Sequence, residues 1–121
     1  MNELDRAKEL QKRTQRFALD IIRLFSALTK AEPARVIGRQ FLRSGTSVAA
    51  NYRAACRARS HPEFISKVAV VLEEADESLF WLDLLIESDF GAAESVKRIR
   101  SECNELVKIF SSSVATAKRN R

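Results

Sequence analysis

Only three places in the chain are built to stop a helix, and they divide it into four long amphipathic stretches. Pro33 follows Ala31-Glu32, Pro62 follows Ser60-His61, and Gly91 closes the third stretch. Proline disfavours helical geometry in its predecessor and suits the first turn of the next helix, so each proline marks an end and a start. Ser60 and Glu63 also stand at capping-box spacing, serine to cap and glutamate to reach back. In the first stretch Leu10, Thr14, Phe17, Ile21, Leu24, Phe25 and Leu28 recur at three- and four-residue steps. In the second, Ile37, Phe41, Val48, Tyr52 and Ala55 share one side. The third carries Phe64, Val68, Val71, Leu72, Ala75, Leu79, Leu82 and Ile86 on one face. In the fourth, Val96, Ile99, Cys103, Leu106, Phe110, Val114 and Ala117 make a heptad seam.

The spacing predicts helices over residues 3–30, 34–59, 61–89 and 92–118. At 1.5 Å per residue each is about 36–42 Å long. Short connections make neighbours antiparallel, so the expected fold is all-α, an up-down-up-down four-helix bundle in a single domain, 1–121. Three glycines and two prolines are too few for an all-β chain, and 45% apolar residues argue against disorder. A domain of 121 residues can bury a core without metal or disulfide staples.

The same residues narrow the chemistry. One histidine, His61, and two cysteines, Cys56 and Cys103, leave no zinc constellation and no disulfide framework. No Glu-x-x-His pair and no glycine-rich phosphate loop occurs, so neither a di-metal centre nor a nucleotide loop is expected, and no cofactor. The N-terminus alternates charge with no apolar stretch behind it, and the longest apolar run is residues 68–72. Neither a signal peptide nor a membrane span is expected, and the location is read as cytoplasmic. Arg43, Ser47 and Asn51 follow one line on helix two, and Lys67, Glu74, Ser78 and Trp81 a similar line on helix three. No general base accompanies Ser47, so the expectation is no enzyme. Arg43, Ser47, Asn51, Lys67, Glu74 and Trp81 are instead read as a polar seam fixing helix register, with Arg43 and Glu74 as a buried pair.

Charge is distributed unevenly. Residues 33–62 hold six arginines and no acid, whereas residues 63–90 hold eight acids and one base, Lys67. The net +5 of the chain therefore conceals +6 beside −7. On a helical wheel Arg35, Arg39, Arg43, Arg53 and Arg57 share an arc of about 80° opposite the core side. Arginine's planar fork suits phosphate and stacks on bases, so these five with Arg59 form a candidate stripe for RNA or DNA. Lys118, Arg119 and Arg121, with Arg98 and Arg100, could extend it. A second reading makes the stripe a protein contact. Phe80 and Leu84 lie on the outer face of helix three among Glu73, Asp76, Glu77, Asp83 and Glu87. That face of one copy could dock on helix two of another in a head-to-tail ring, with Phe80, Leu84, Asp76, Glu77 and Asp83 as the interface.

One stretch carries a resemblance. Arg43-Ser44-Gly45-Thr46-Ser47-Val48-Ala49-Ala50-Asn51-Tyr52-Arg53-Ala54-Ala55 resembles the central signature of the four-helix bundle proteins encoded in intervening sequences of bacterial 23S rRNA genes. Ser60, Glu63, Phe64 and Lys67, then Glu74-Ala75-Asp76-Glu77-Ser78-Leu79-Phe80-Trp81-Leu82, are similar to its third helix. The resemblance implies a cytoplasmic homopentamer without enzymatic activity. It also brings in a related group, the accessory variability proteins of diversity-generating retroelements, which are basic pentamers that bind nucleic acid and a reverse transcriptase. Three positions depart from the pattern. Ala54 replaces a frequent glutamate, Ala49 a glycine or proline, and Glu73 a frequent lysine. The first and last sharpen the contrast between helices two and three.

Overall fold

The computed structural model describes residues 2–90 and 93–121. Among these the chain is all-α, with helices α1 (Glu3–Ala27), α2 (Glu32–Ala55), α3 (His61–Glu87) and α4 (Ala93–Arg119). The expected start of the fourth helix at residue 92 lies outside the described residues. α1 and α3 begin at the expected residues 3 and 61, and the remaining boundaries move by one to four residues.

The α1 helix begins where the Asn2 side chain accepts a hydrogen bond from the Asp5 N–H at 2.9 Å. Glu3 and Asp5 place negative charge in its first turn, favourable to the helix dipole. It stops three residues short of the expected end because Leu28 turns to extended backbone while its side chain stays buried. The α2 helix starts at Glu32, with Pro33 in its first turn, and ends at Ala55 rather than residue 59. Beyond it the N–H groups of Arg57 and Ala58 bond three residues back, to Ala54 and Ala55, at 3.1 Å each. The chain then opens to the extended Ser60, whose hydroxyl accepts from the Glu63 N–H at 3.2 Å. The Glu63 carboxylate accepts from the Arg59 N–H at 3.2 Å, one residue upstream of the capping-box donor. The α3 helix closes in a Schellman arrangement. Phe90 N–H bonds to the Leu85 carbonyl and Asp89 N–H to that of Ile86, with Asp89 left-handed at φ 61°.

Consecutive helices pack against each other, and α1 returns against α4 along a thinner seam, so the four surround one core. Phe17, Phe41 and Phe110, with Ile21, Leu82, Leu85 and Leu106, are its largest fully buried side chains. Each such burial contributes roughly 1.5–3 kcal/mol. Tyr52 of α2 and Phe110 of α4 meet across the core with ring centroids 5.3 Å apart. Where α1 approaches α2 most closely there is room only for glycine. The Cδ1 of Ile21 fills the place of a Cβ at Gly45, and Leu28 would lie 2.8 Å from one at Gly38. Buried polar groups are paired: Thr14 donates to the Leu10 carbonyl at 2.9 Å, and the Ser44 and Ser78 hydroxyls bond each other at 2.8 Å. Among the described residues no buried side-chain nitrogen or oxygen lacks a partner.

Candidate nucleic-acid interface

The α2 arginines share a composition and a helix but not a set of neighbours. Near the N-terminal end, the Arg35 guanidinium lies 4.4 Å above the centre of the Phe25 ring, a cation–π contact with α1. Arg39 is exposed. Arg43 is tied to α3: it reaches Glu74 at 3.3 Å and makes a short contact with the Glu77 carboxylate. The latter also accepts the Trp81 indole N–H at 2.9 Å. The indole hydrogen bond, with help from Arg43, holds the Glu77 carboxyl below its ordinary range against the opposing effect of desolvation. Glu77 in turn raises the Arg43 pKa. The expected Arg43–Glu74 pair thus exists, but half of the Arg43 side chain is exposed, so the pair is not buried.

The C-terminal half differs. Arg53 lies on α2, while Arg57 and Arg59, expected on the helix, stand on the turn that follows it. With Lys67 of α3 they ring a recess of about 320 Å³. Ala50 and Ala54 line it from α2, and Glu63 completes the rim. A second recess, about 350 Å³, opens on the other side of Arg53 and is lined by Gln11 and Gln15 of α1 with Thr46, Ala49 and Ala50 of α2. Ala50 and Arg53 border both. Among the described residues, Arg35, Arg39, Arg53, Arg57, Arg59 and Lys67 have no carboxylate within 4.0 Å, whereas Arg13, Arg43 and Arg100 do.

The polar line read from spacing separates into three parts. Arg43, Glu74, Glu77 and Trp81 form one network. Asn51 turns back on its own helix, donating to the Ser47 hydroxyl at 2.8 Å and the Ser47 carbonyl at 2.9 Å. Lys67 joins the recess instead. A buried link between α2 and α3 runs from Ser44 to Ser78, and Ser44 lies outside the expected seam. Its signal was present, since Ser44 occupies the core side of α2 between Phe41 and Val48.

On the outer face of α3, Phe80 is 54% exposed and packs edge-on against Trp81, with centroids 4.9 Å apart. Leu84 is half-buried. Of the acids assigned to that face, Glu77 is held by Arg43, and Asp83 accepts from Arg100 of α4 at 2.6 Å. Asp76, Glu73 and Glu87 are exposed. The surface also includes apolar side chains that spacing did not flag, Leu19 and Ile22 on α1 and Val36 on α2.

At the recess end, His61 Nε2 lies 2.8 Å from the Ala117 carbonyl, which brings the last turn of α4 with Lys118 and Arg119 to the start of α3. Cys56 is half-buried and Cys103 fully buried; burial pushes the Cys103 thiol up to about 12 and raises that of Cys56. Among the described residues no cluster of histidine, cysteine and carboxylate side chains could hold a metal ion, and no helix is long and apolar enough to cross a membrane.

No curated protein matches the chain. Among solved structures, a protein of unknown function from the S23 ribosomal protein family of Bacteroides thetaiotaomicron is 35% identical. The match covers 86% of this chain and 96% of that one, with a TM-score of 0.79. The family model described as 23S rRNA-intervening sequence protein matches residues 6–112, which span the arginine-bearing helix, the acidic helix and the turn between them. The chain therefore belongs to the 23S rRNA-intervening sequence protein family.

Proposed function

We propose that this protein is a cytoplasmic, non-enzymatic four-helix bundle with an up-down-up-down arrangement that binds RNA or DNA through the α2 arginines. The alternation of direction is supported by cross-helix pairs in which numbers rise on one helix as they fall on the next. Along α3 and α4 these are His61 with Ala117, Ala75 with Cys103 and Asp83 with Arg100. The observation that carries the binding reading is that Arg35, Arg39, Arg53, Arg57 and Arg59 lack carboxylate partners among the described residues. Eight acids on the adjacent third stretch do not neutralise them. Guanidinium groups without carboxylate partners can follow a phosphate backbone, and such binding is weakly sequence-specific and collapses with salt.

The test is titration of a labelled structured RNA across a salt series. Each cation that meets a phosphate contributes about one to the log–log salt slope, so R35A/R39A/R53A lowers it by about 3 and weakens binding. Salt-insensitive binding, or wild-type affinity in the triple variant, overturns the reading.

A second reading is favoured by one observation, the exposure of Phe80 on a face of α3 where Glu73, Asp76 and Glu87 have no ion pair among the described residues. An exposed aromatic beside negative charge suits a subunit contact with a basic helix. The chain then assembles head-to-tail with its own copies, as a pentamer by family resemblance. Phe80→Glu reduces the mass seen by light scattering to that of the monomer. A wild-type protein that is already monomeric defeats it.

A further inference from the structure

We propose that the recess over Ala50 and Ala54 is a discrete seat for one nucleotide of a single-stranded nucleic acid, its phosphate held among Arg53, Arg57, Arg59 and Lys67. This rests on the nucleic-acid reading above and gives that reading a place and a strand preference.

Shape comes first. Ala50 and Ala54 lie one turn apart on α2 and present only methyl groups, so a hollow of about 320 Å³ remains between the cations of the α2–α3 turn and Lys67. It is a shallow depression open to solvent, not an enclosed cavity, with Ala50 itself exposed. It accepts one sugar–phosphate unit of a strand that can bend inward. A duplex is a stiff convex rod whose phosphates meet the rim cations without reaching the alanine floor. No aromatic side chain lines the recess, so a seated base can stack only on guanidinium planes, which tolerate any base.

Charge points the same way. Four cations face one carboxylate, and that carboxylate is engaged as the reach-back cap of α3, accepting from Arg59 N–H. Helix dipoles add little here, because the negative end of α2 and the positive end of α3 meet at the same turn. The side chains set the field. The same end of the bundle gathers the N-terminal half of α1, which lines the neighbouring recess with Arg53, and the C-terminal end of α4, through His61 and Ala117. The turn and its flanks, residues 53–67, carry four bases and one acid. A local excess of positive charge of this kind steers a polyanion to the recess before any contact forms.

The experiment fills the floor without touching a charge. Ala50→Leu and Ala54→Leu are compared with wild type by fluorescence anisotropy, using a labelled twelve-nucleotide oligouridylate and a twelve-base-pair RNA duplex at low salt. Ala50 is exposed and on a helix, so A50L keeps the test valid if A54L melts early. Either change weakens single-strand binding roughly tenfold, the worth of one charge-assisted phosphate contact, and leaves duplex binding within twofold. Glu63→Gln keeps the cap acceptor, removes the only negative charge of the rim and tightens single-strand binding. Wild-type single-strand affinity in both A50L and A54L, or an equal loss for both probes, overturns the discrete seat. If R35A/R39A/R53A still weakens binding in that case, the stripe stands without the seat. If no arginine variant weakens either probe, the nucleic-acid reading falls as well.

Discussion

Arg43 and Arg53 lie on one helix, ten positions apart, and meet opposite surroundings. Arg43 faces the acidic second half of α3 and is held by Glu74 and Glu77. Arg53 faces the beginning of α3, where the nearby charges are Lys67 and a single glutamate already used as a cap. The contrast of +6 against −7 between successive stretches is therefore partly cancelled within one molecule at one end and left standing at the other. Charge counted per helix is not the charge a partner meets; the register between helices decides which arginines remain available.

The largest expected effects separate these two halves. R53A/R57A removes two unpaired cations from the recess and lowers affinity for single-stranded RNA roughly a hundredfold at low salt, with the salt slope reduced by about 2. Urea unfolding of the same variant stays within about 0.5 kcal/mol of wild type, because no folded-state partner is lost. R43A shows the reverse. Affinity changes by less than about threefold, while stability falls by about 0.5 kcal/mol as Glu74 and Glu77 lose a half-exposed cation. Equal affinity losses in the two variants would show that the pairing seen at Arg43 opens when RNA binds.

A smaller effect comes from transplanting one environment onto the other. Lys67→Glu puts a carboxylate opposite the unpaired half of α2, as Glu74 and Glu77 stand opposite Arg43. Single-strand affinity then falls roughly tenfold with one cation removed and an acid added. Stability moves by no more than about 0.5 kcal/mol, since the new pair is solvent-exposed. Affinity unchanged from wild type would remove Lys67 from the site.

The core of the fold was legible where large apolar residues keep strict spacing. All seven positions of the seam expected on the fourth stretch are buried. On α2 the same logic missed Gly38, Ser44 and Gly45, which are buried because α1 and α3 come close rather than because they are apolar. Helix ends were read less well. Residues 56–59 have helical propensity, but Ser60 must be extended to cap α3, and that requirement ends α2 at Ala55. For the site, the number of arginines was visible, while their partners were not. Lys67 was placed in a seam with Glu74 because the two share a line on one helix, yet the residue across the groove assigns each its role. No spacing rule within a helix contains that information.

The smallest predicted effect tests whether the paired half is held by a specific network or by general attraction. In the folded chain the Trp81 indole and then Arg43 hold the Glu77 carboxyl below its ordinary value of 4.5. The folded state thus binds this proton less readily than the unfolded state. The resulting stabilisation is complete above pH 4.5 and is lost as pH falls through the lower folded value. Trp81→Phe keeps a ring but removes the N–H donor, so the variant is less stable than wild type at neutral pH and the gap narrows on acidification. Because more than a third of the Glu77 side chain is exposed, the gap is no more than about 0.5 kcal/mol at pH 7. Urea titrations between pH 3 and 7 measure it. A gap that stays constant with pH would assign the loss to packing of the ring. Arg43 would then be held by attraction to α3 as a whole, and the two halves of α2 would differ only in the number of acids nearby.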